Sequence, residues 1–410
     1  MRTIFHIDVN SAFLSWSAVK RLKEDPDALD LRTVPSIVGG DPETRHGIVT
    51  AKSIPAKKFG IKTADTVSSA LQKCPDLVIV PADFNTYREY SHAFIEILKS
   101  YTDQVEQVSI DEAYLDATDL GEPLEAAKQI KDRIKEELGF TVNVGISSNK
   151  LLAKMASDFS KPDKIHTLFA EEIEEKMWPL SIGELYGCGK KTSEKLQRYG
   201  INTIGDAADT PLDVLQAMLG EKAGEYIYKS ARGIGSDRVH SEHEDAKSYS
   251  NETTLSHDIT PENYQQEMPE VVRWLSEKVA GRLKKAGIFA KTIDVQVKTN
   301  TFKRRSMQTK LPDATNDAEI IFQTATILAD KLLNGEKGLF QSETGIRLVG
   351  VGATDLDNGE FRQLDLFSYQ KEQEKVQQEE KIKKEKEDKL SAMTDKINGK
   401  FGDGAIRKGI

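Results

Sequence analysis

Cysteine is almost absent from this chain of 410 residues, which has only Cys74 and Cys188. The two lie far apart and outside any Cys-x-x-Cys or Cys/His cluster, which argues against a disulfide scaffold and a structural zinc site. Long apolar runs are also missing, and none approaches the roughly 20 residues that a transmembrane helix needs. Residues 1–8 lack the architecture of a signal peptide, because an acidic residue interrupts the apolar stretch. We therefore expect a cytoplasmic protein with no membrane segment.

An excess of basic residues is missing too. The chain has 57 Lys and Arg against 66 Asp and Glu, a net charge of −9. Such a total does not favour nucleic acid as a partner, but a global sum hides local basic surfaces. Residues 247–352 carry 15 Lys and Arg against 13 Asp and Glu, a net charge of +2. The charge therefore has to be considered region by region.

The sequence pattern predicts several domains. At roughly 100–200 residues per domain, the length alone favours two to four. Residues 2–167 run in the order strand, insertion, helix, hairpin, helix and strand, which is typical of a ferredoxin-like split unit. A helical region, a stretch without apolar periodicity and a region of alternating strands and helices follow it. The fold class is therefore predicted as α+β and multidomain, with a polar C-terminal tail.

Acidic residues form the sharpest local signal. Asp111 and Glu112 lie between two predicted strands, and Asp8 lies near the end of the first predicted strand. Neighbouring side chains in a flat strand point to opposite faces, so a turn or bulge is needed to make Asp111 and Glu112 converge. Three crowded carboxylates repel one another and need a divalent cation, and oxygen-only ligation suits Mg²⁺ or Mn²⁺ rather than zinc. Two such ions would support phosphoryl transfer.

The residues around these acids resemble those of the Y-family, or lesion-bypass, DNA polymerases of the bacterial type. Ser-Ile-Asp-Glu-Ala-Tyr-Leu-Asp at 109–116 resembles that family's catalytic hairpin, and His-Ile-Asp at 6–8 resembles its first strand. The resemblance extends in order over about residues 2–352. It implies that Asp8 and Asp111 bridge two metal ions, that Glu112 completes the catalytic-metal site, and that the Val9 carbonyl serves the nucleotide metal.

The same resemblance implies low-fidelity, template-directed DNA synthesis across lesions, as part of DNA repair and the SOS response. The substrates would be primer-template DNA and deoxynucleoside triphosphates. The domains it implies are a palm at 1–11 and 77–167, inserted fingers at 12–76, a helix-hairpin-helix thumb at 168–233, a linker at 234–246, a little finger at 247–352 and a tail at 353–410.

Two single residues are expected at the nucleotide by this resemblance. Phe13 matches the family's aromatic sugar gate, whose ring leaves no space for a ribose 2′-hydroxyl. Lys161, in Ser-Lys-Pro-Asp at 160–163, matches the second of the family's triphosphate-binding lysines. Cationic side chains are needed there because two metal ions do not fully neutralise a triphosphate.

The fingers motif resembled by residues 50–60 departs from the family pattern. Ile54 stands where the family has Tyr, and Lys57 stands where it has Arg. Lys57 keeps the positive charge without the bidentate fork, and Ile54 cannot donate a hydrogen bond to phosphate. Lys52 or Ser53 are the candidate substitutes for the lost contacts.

Residues 185–201 resemble a helix-hairpin-helix with Gly-Cys-Gly at the turn. The backbone N–H groups of such a turn, at a helix N-terminus, can bind a DNA phosphate without reading bases. Gly187, Gly189, Lys190 and Lys191 are therefore expected to bind DNA.

A basic run lies in the predicted little finger at 298–306. The sequence favours a single strand for this run, with Lys303, Arg304 and Arg305 along the duplex backbone. Binding of that kind is independent of sequence and sensitive to salt.

The polar tail contains Gln-Leu-Asp-Leu-Phe at 363–367, which resembles the peptide by which bacterial DNA-handling proteins bind the sliding clamp. An extended peptide of this kind would place Leu366 and Phe367 in an apolar pocket and Gln363 at its edge, with Leu364 between them. The charged segment that follows is assigned no function.

Two hypotheses follow. The first is a monomeric, error-prone DNA polymerase. We expect no proofreading exonuclease in it, because the sequence shows no second acidic cluster that would indicate one. The alternative is a catalytically weak, polymerase-like scaffold that holds DNA and a partner. Intact Asp8, Asp111 and Glu112 argue against the scaffold, whereas Ile54 and Lys57 leave it open.

Overall fold

The computed structural model describes residues 2–41, 45, 47–242, 245–341 and 345–358. The chain divides into two compact units, Met1–Asp245 and Ala246–Ile410. The sequence at 363–367 that is predicted to bind a clamp lies outside the described residues. Within the described part, no helix is long and apolar enough to cross a membrane.

The first unit begins with the strands and helices of a large sheet and a smaller inserted one. They are β1 (Ile4–Val9), α1 (Ala12–Glu24), β2 (Ser36–Gly39), β3 (Val49–Lys52), α2 (Ile54–Lys58), α3 (Val67–Lys73), β4 (Val78–Val80), α4 (Phe84–Lys99), β5 (Val105–Gln107), β6 (Glu112–Asp116), α5 (Pro123–Leu138), β7 (Val142–Ser147), α6 (Lys150–Asp158) and β8 (Ile165–Thr167).

The large sheet has the order β5-β6-β1-β7-β8. Strand β1 lies between β6 and β7 and is antiparallel to both, which is the strand order of a ferredoxin-like unit. Helices α4 and α5 carry apolar residues at spacings of three and four, and these residues, Phe94 and Ile130 among them, are buried in the core of the sheet. The predicted α+β class with a ferredoxin-like palm is confirmed.

The inserted segment forms a separate sheet in the order β3-β2-β4. Strand β4 is parallel to β2, so residues 78–80 belong to the small sheet although the sequence analysis assigns them to the second palm segment. Helix α1, assigned to the fingers, buries Trp16 in the core of the large sheet. The positions of β4 and α1 are decided by strand pairing and helix packing between residues that are distant in the chain. The periodicity of apolar residues along the chain does not indicate such contacts.

Short helices follow the large sheet. They are α7 (Ile173–Lys176), α8 (Lys190–Arg198), α9 (Ile204–Asp209), α10 (Leu212–Leu219) and α11 (Glu221–Ala231). They pack around a core of their own that includes Met177, Leu196 and Ile204. This region is the helical part that the sequence predicts.

The second unit consists of β9 (Ser248–Ile259), α12 (Tyr264–Ala286), β10 (Phe289–Thr299), β11 (Arg304–Thr315), α13 (Ala318–Asn334) and β12 (Ile346–Asp357). Its strands form an antiparallel sheet in the order β11-β10-β12-β9. Burial alternates along β10, and its buried residues, such as Val295, pack with Val279 of α12 and Leu333 of α13. Both helices therefore cover one face of the sheet, and the other face carries the polar residues.

The basic run of this unit is not on a single strand, and that expectation was wrong. Strand β10 ends at Thr299 and β11 begins at Arg304, so residues 298–306 fold into a hairpin. The Phe302 N–H donates to the Thr299 carbonyl at 2.9 Å and closes the turn. Pairing of Lys298 with Arg304 satisfies backbone groups that a single strand would leave to another neighbour. The last strand also runs to Asp357, past the boundary placed at residue 352.

Candidate active site and nucleic-acid contacts

The three predicted carboxylates converge at the end of β1. Asp8 lies directly opposite Glu112 in the register of β1 and β6. Asp111 lies just outside β6, where its carbonyl accepts the Val9 N–H at 2.9 Å. Because β6 begins only at Glu112, the alternation of a flat strand does not apply to Asp111. The chain therefore turns where the sequence analysis requires a turn.

A lysine that the sequence analysis did not single out lies among these carboxylates. Lys154 of α6 is buried, with its Nζ 3.0 Å from Glu112 Oε2 and 3.4 Å from Asp8 Oδ2. Burial lowers the pKa of Lys154, but the charges of Asp8, Asp158 and Glu112 outweigh burial and raise it above its ordinary value. In the sequence, Lys154 stands between apolar neighbours at 151–153 and 155–156, and a lysine in such a stretch was the available signal.

Lys161 lies against the same cluster from the following loop. Its Nζ is 2.7 Å from Asp8 Oδ2 and 2.9 Å from Asp158 Oδ1. Burial lowers the pKa of Lys161, and the facing carboxylates more than compensate and raise it. Lys161, which the sequence analysis assigns to the triphosphate, therefore holds Asp8 in this structure.

His6, on the central strand β1, contacts the carboxylate of Glu112. The ring is buried, with Nε2 3.3 Å from Glu112 Oε2 and Nδ1 2.8 Å from the Ser157 hydroxyl. The hydrogen bond from His6, helped by Lys154, lowers the pKa of Glu112 to about 2. Burial lowers the pKa of His6, which favours the neutral ring as the donor. Glu112 is therefore an anion throughout the physiological range.

Asp111 has a different environment from the other two carboxylates. Burial and the neighbouring charges of Asp8 and Glu112 raise its pKa, while a hydrogen bond from the Ser109 hydroxyl at 2.6 Å opposes the change. A nearby cation would stabilise its charged form. Burial, and after it the neighbouring carboxylates, thus raise this pKa, which is the electrostatic condition for a metal site.

The donor set fits a hard divalent cation, although the side chains do not surround one as they stand. Among the described residues, no three Asp, Glu, His or Cys side chains are grouped closely enough to hold a metal ion. Lys154 and Lys161 supply the positive charge to Asp8 and Glu112 instead. Three carboxylates at one strand end provide only oxygen ligands, which suit Mg²⁺ or Mn²⁺.

Phe13 lies in a stack of aromatic rings beside the carboxylates. Its ring is parallel to that of Tyr87, with centroids 4.5 Å apart and planes at 9°, and meets Phe84 edge-on at 5.9 Å. Ser11, which precedes α1, has a left-handed φ of 48°. That turn redirects the chain between Asp8 and Phe13, so one short segment provides both a ligand candidate and a rigid ring.

A cavity of about 620 Å³ joins these features to the small sheet. Its lining includes Asp8, Val9, Phe13, Lys52, Ser53, Lys57, Asp111 and Lys161. Arg32 also lines it, but its guanidinium pairs with Asp30 at 2.9 Å and donates to the Gly139 carbonyl. Three lysines therefore face a space large enough for a nucleotide, next to the carboxylates.

The Ser53 hydroxyl is not available to a phosphate in this arrangement. It donates to the Val34 carbonyl at 2.7 Å and accepts the N–H groups of Ala56 and Ser36. Ser53 therefore acts as the N-cap of α2 and joins it to the small sheet, which corrects its assignment as a nucleotide ligand.

Lys52 is the stronger substitute in the fingers motif. Its Nζ donates to the Thr63 hydroxyl at 3.1 Å, and burial together with the charge of Lys57 lowers its pKa. Two lysines close enough to affect each other's charge would both gain from a nearby polyanion.

The turn predicted for the helix-hairpin-helix is present, and the side chain of Tyr226 packs against it. Helix α8 begins at Lys190, directly after Gly189. Gly187 has φ +82°, and a Cβ there would lie 2.3 Å from the Tyr226 hydroxyl oxygen. The Tyr226 hydroxyl also donates to the Tyr186 carbonyl at 2.8 Å. Glycine is therefore required at 187 both by its backbone conformation and by the nearby ring of Tyr226. The supporting role of Tyr226 was not predicted from the sequence.

In the second unit, two of the three predicted DNA-binding cations lie at the start of β11, and Lys303 lies in the turn before them. Arg304 reaches across the sheet to Glu252 of β9, with contacts of 2.9 and 3.1 Å. Arg305 donates to the carbonyl of its neighbour. One of the predicted phosphate ligands is thus already paired with a carboxylate.

Comparisons with known proteins cover the whole chain. The family model described as "impB/mucB/samB family" matches residues 7–158, and that of its C-terminal domain matches 246–366. A model described as "DNA polymerase-iota, thumb domain" matches residues 183–235.

Curated relatives match at full length. A protein of Clostridium acetobutylicum named DNA polymerase IV is 41% identical, with 100% of this chain and 98% of the relative covered. The Bacillus subtilis protein named DNA polymerase IV 1 is 36% identical over 100% of this chain and 92% of the relative. A solved Y-family DNA polymerase chimera aligns with a TM-score of 0.72 at 24% identity, covering 86% of this chain and 98% of the chimera, which shows the shared fold.

Proposed function

Because this chain belongs to the impB/mucB/samB family of Y-family DNA polymerases, we propose that Asp8, Asp111 and Glu112 are its catalytic residues. The chain is a DNA-directed DNA polymerase of the low-fidelity, translesion type. In the reaction, the primer 3′-oxygen bonds to the α-phosphorus of a deoxynucleoside triphosphate, and pyrophosphate leaves as the α–β bridge breaks. The observation that carries this proposal is the convergence of three carboxylates beside a nucleotide-sized cavity.

We assign two Mg²⁺ ions, or Mn²⁺ in their place, to Asp8, Asp111, Glu112 and the Val9 carbonyl. When bound, such ions lower the pKa of the attacking hydroxyl and neutralise charge on the triphosphate. The protein's own contribution is to hold the carboxylates ionised and close together. His6 keeps Glu112 ionised, and Lys154 holds Glu112 and Asp8 close together by contacting both.

Among the side chains, lysines would hold the triphosphate. Lys57, Lys161 and Lys52 line the cavity, and Lys161 is close enough to exchange its contact with Asp8 for one with a phosphate. A lysine ammonium acts as a point charge, so the three lysines would hold the triphosphate by their charge and without the hydrogen-bonding geometry that Tyr and Arg would provide. Phe13 would lie under the sugar, and the parallel ring of Tyr87 prevents it from moving aside.

Duplex DNA would be bound by both units. In the first, Gly187 and Gly189 present the turn to a phosphate, with Lys190 and Lys191 adding charge at the start of α8. In the second, Lys303, Arg304 and Arg305 would contact the backbone. We propose the palm, fingers, thumb, linker and little finger as the domains, with residues 78–80 moved to the fingers, helix α1 packed on the palm and the little finger extended to residue 357.

The tail motif supports a proposed contact with the sliding clamp through Gln363, Leu364, Leu366 and Phe367. We also assign a monomeric, cytoplasmic protein without a proofreading activity. Substitution of both Leu366 and Phe367 by Ala should remove stimulation by a loaded clamp and leave basal primer extension unchanged. Equal clamp binding by wild-type and substituted tail peptides would contradict this assignment.

Primer extension tests the main proposal. The full chain, with Mg²⁺ and deoxynucleoside triphosphates, should extend a primer on an undamaged template and past an abasic site, and should not shorten an unpaired 3′ end. DNA binding without extension under Mg²⁺ or Mn²⁺ would instead support the scaffold alternative, which the three intact carboxylates do not favour.

A further inference from the structure

The hairpin between β10 and β11 exposes a phenylalanine at its tip. The Phe302 side chain is 65% exposed, among the most exposed of the large apolar residues in the described part of the chain. A single exposed apolar side chain is common on protein surfaces and by itself indicates no function. Phe302 differs from such scattered surface residues in two respects, its backbone conformation and the cations near its ring.

The first observation is its backbone conformation. Phe302 has φ +64°, in the left-handed region that glycine and asparagine tolerate and bulky residues avoid. Its N–H closes the turn to the Thr299 carbonyl at 2.9 Å, an interaction that any residue other than proline could make. The fold therefore needs a turn at this position and has no need of an aromatic ring. Backbone strain of this kind persists mainly at functional sites.

The second observation is the set of cations around the ring. Arg347 of β12 lies with its guanidinium carbon 5.2 Å from the ring centroid, and Lys298 of β10 lies with its Nζ 6.0 Å from it. Lys298, Phe302 and Arg347 are called the hairpin-tip cluster below. Arg304 and Arg305 follow within three residues of the ring on the same hairpin. Two cations thus lie over an aromatic ring that is otherwise largely exposed.

We propose that the hairpin-tip cluster binds an unpaired nucleotide of single-stranded DNA. The base stacks on the Phe302 ring, and its phosphates are paired by Lys298 and Arg347. Single-stranded nucleic acid is the polyanion that exposes flat apolar faces along its length, and aromatic rings set among cations are its usual binding surface. A duplex encloses its base faces in the stack and offers them only at its ends. This inference rests on the proposed DNA-binding function and adds a strand-specific contact to it.

The test separates stacking from folding by exploiting the strained backbone. Phe302→Asn and Phe302→Gly remove the ring and relieve the left-handed strain, so the melting temperature should stay unchanged or rise. Affinity for fluorescent oligothymidylate, measured by anisotropy, should nevertheless fall by roughly 5- to 150-fold, the usual effect of losing one base–aromatic stack. Affinity for a blunt hairpin duplex of equal charge should change less than about twofold, since its bases are enclosed.

Trp274 provides a matched control. It is an exposed aromatic residue of α12 in the same unit, and the Nζ of Lys278 lies 5.8 Å from its ring. Its backbone is helical, so no strain marks it as functional. Trp274→Ala should leave single-strand affinity unchanged, and Phe302→Tyr should retain it.

Three results would overturn the proposal. Equal losses for single strands and duplex would make the ring a general DNA contact, and a fall in melting temperature that parallels the loss would make it structural. If Phe302→Asn and Phe302→Gly bound single strands as tightly as the wild type, the ring would have no part in DNA binding, and an acidic peptide would be the ligand that fits this surface. Failure of the wild-type chain to extend any primer would be distinguishable from all three, because it would remove the proposed function and not the binding difference.

Discussion

The carboxylate cluster of the first unit and the polar sheet face of the second both pair cations with acids, yet their surroundings differ. The Lys154 side chain is 11% exposed and contacts Asp8 and Glu112, whereas the Arg304 and Glu252 side chains are 49% and 38% exposed. Desolvated charges depend on one another, so removing one leaves the other costly to bury. Exposed pairs are screened and exchange readily for other ions. The contacts of Lys154 with Asp8 and Glu112 therefore hold the site together, whereas the contact of Arg304 with Glu252 can be exchanged for one with a ligand.

The aromatic residues of the two regions differ in the same manner. Phe13 is held by Tyr87 and Phe84, so its position is determined by packing. Phe302 has Lys298 and Arg347 over its ring and remains largely exposed. A packed ring can exclude part of a substrate because it cannot move, while a ring that is 65% exposed can accept a base on its open surface.

The largest expected effect comes from removing one half-buried carboxylate of the cluster. Asp111→Asn should lower the primer-extension rate by about a thousandfold or more, since metal ions stabilise such transition states by several kcal/mol. Affinity for primer-template DNA should remain within about twofold, because Asp111 is not among the surface cations and turn residues that we propose as the DNA contacts.

Single-turnover extension and anisotropy measure the two quantities separately. Asp116→Asn is the matched control, since that carboxylate of β6 accepts a hydrogen bond from Thr118 and lies outside the cluster. Extension by Asp111→Asn at the wild-type rate would mean that the active site lies elsewhere.

Removal of the packed ring should have the next largest effect. Phe13→Ala should raise ribonucleotide incorporation relative to deoxynucleotide incorporation by at least about tenfold, because space opens under the sugar. Phe84→Ala removes an edge contact and leaves the ring and its Tyr87 stack in place, so its ratio should stay near wild type. Competition between matched ribo- and deoxynucleotides gives the ratio directly. An unaltered ratio in Phe13→Ala would assign the gate to another residue.

Loss of the buried cation should be moderate and dependent on metal. Lys154→Met removes a positive charge that competes for Asp8 and Glu112. We expect a lower melting temperature in EDTA and a larger upward shift on adding Mg²⁺ than in the wild type. Lys150→Met is the comparison, since Lys150 pairs with Glu106 outside the cluster. Identical Mg²⁺-induced shifts in both variants would show that Lys154 has no influence on metal binding.

The smallest effect is expected on the exposed face. Glu252→Gln frees Arg304 for a phosphate, so duplex affinity should rise roughly two- to fivefold and its salt dependence should steepen by up to about one ion. Arg304→Met should change both quantities in the opposite direction. Titration of duplex binding at several salt concentrations would measure them. Weaker binding by Glu252→Gln would mean that the pair is part of the binding surface and does not compete with it.

Local patterns predicted much of the candidate site. Asp8, Asp111 and Glu112 were identified because their neighbours along the chain form a recognisable pattern, and the helices of the large sheet followed from apolar spacing. Lys154 was missed because its significance comes from α6 packing against β1 and β6, far from it in sequence. Ser53 was misassigned because a hydroxyl near a fingers motif looks the same whether it faces a phosphate or caps a helix.

The sequence by itself determined the alternation of strands and helices, the net charge of residues 247–352 and the identity of the three acids, since these follow from residue types and their spacing along the chain. Tertiary structure alone decided which cation faces which acid. It brought Arg304 to Glu252 across the sheet, folded the basic run into a hairpin and left Phe302 at its tip. The physical reason is that strand register and helix packing join residues far apart in the chain, and a shift of one residue would exchange the faces on which these side chains lie.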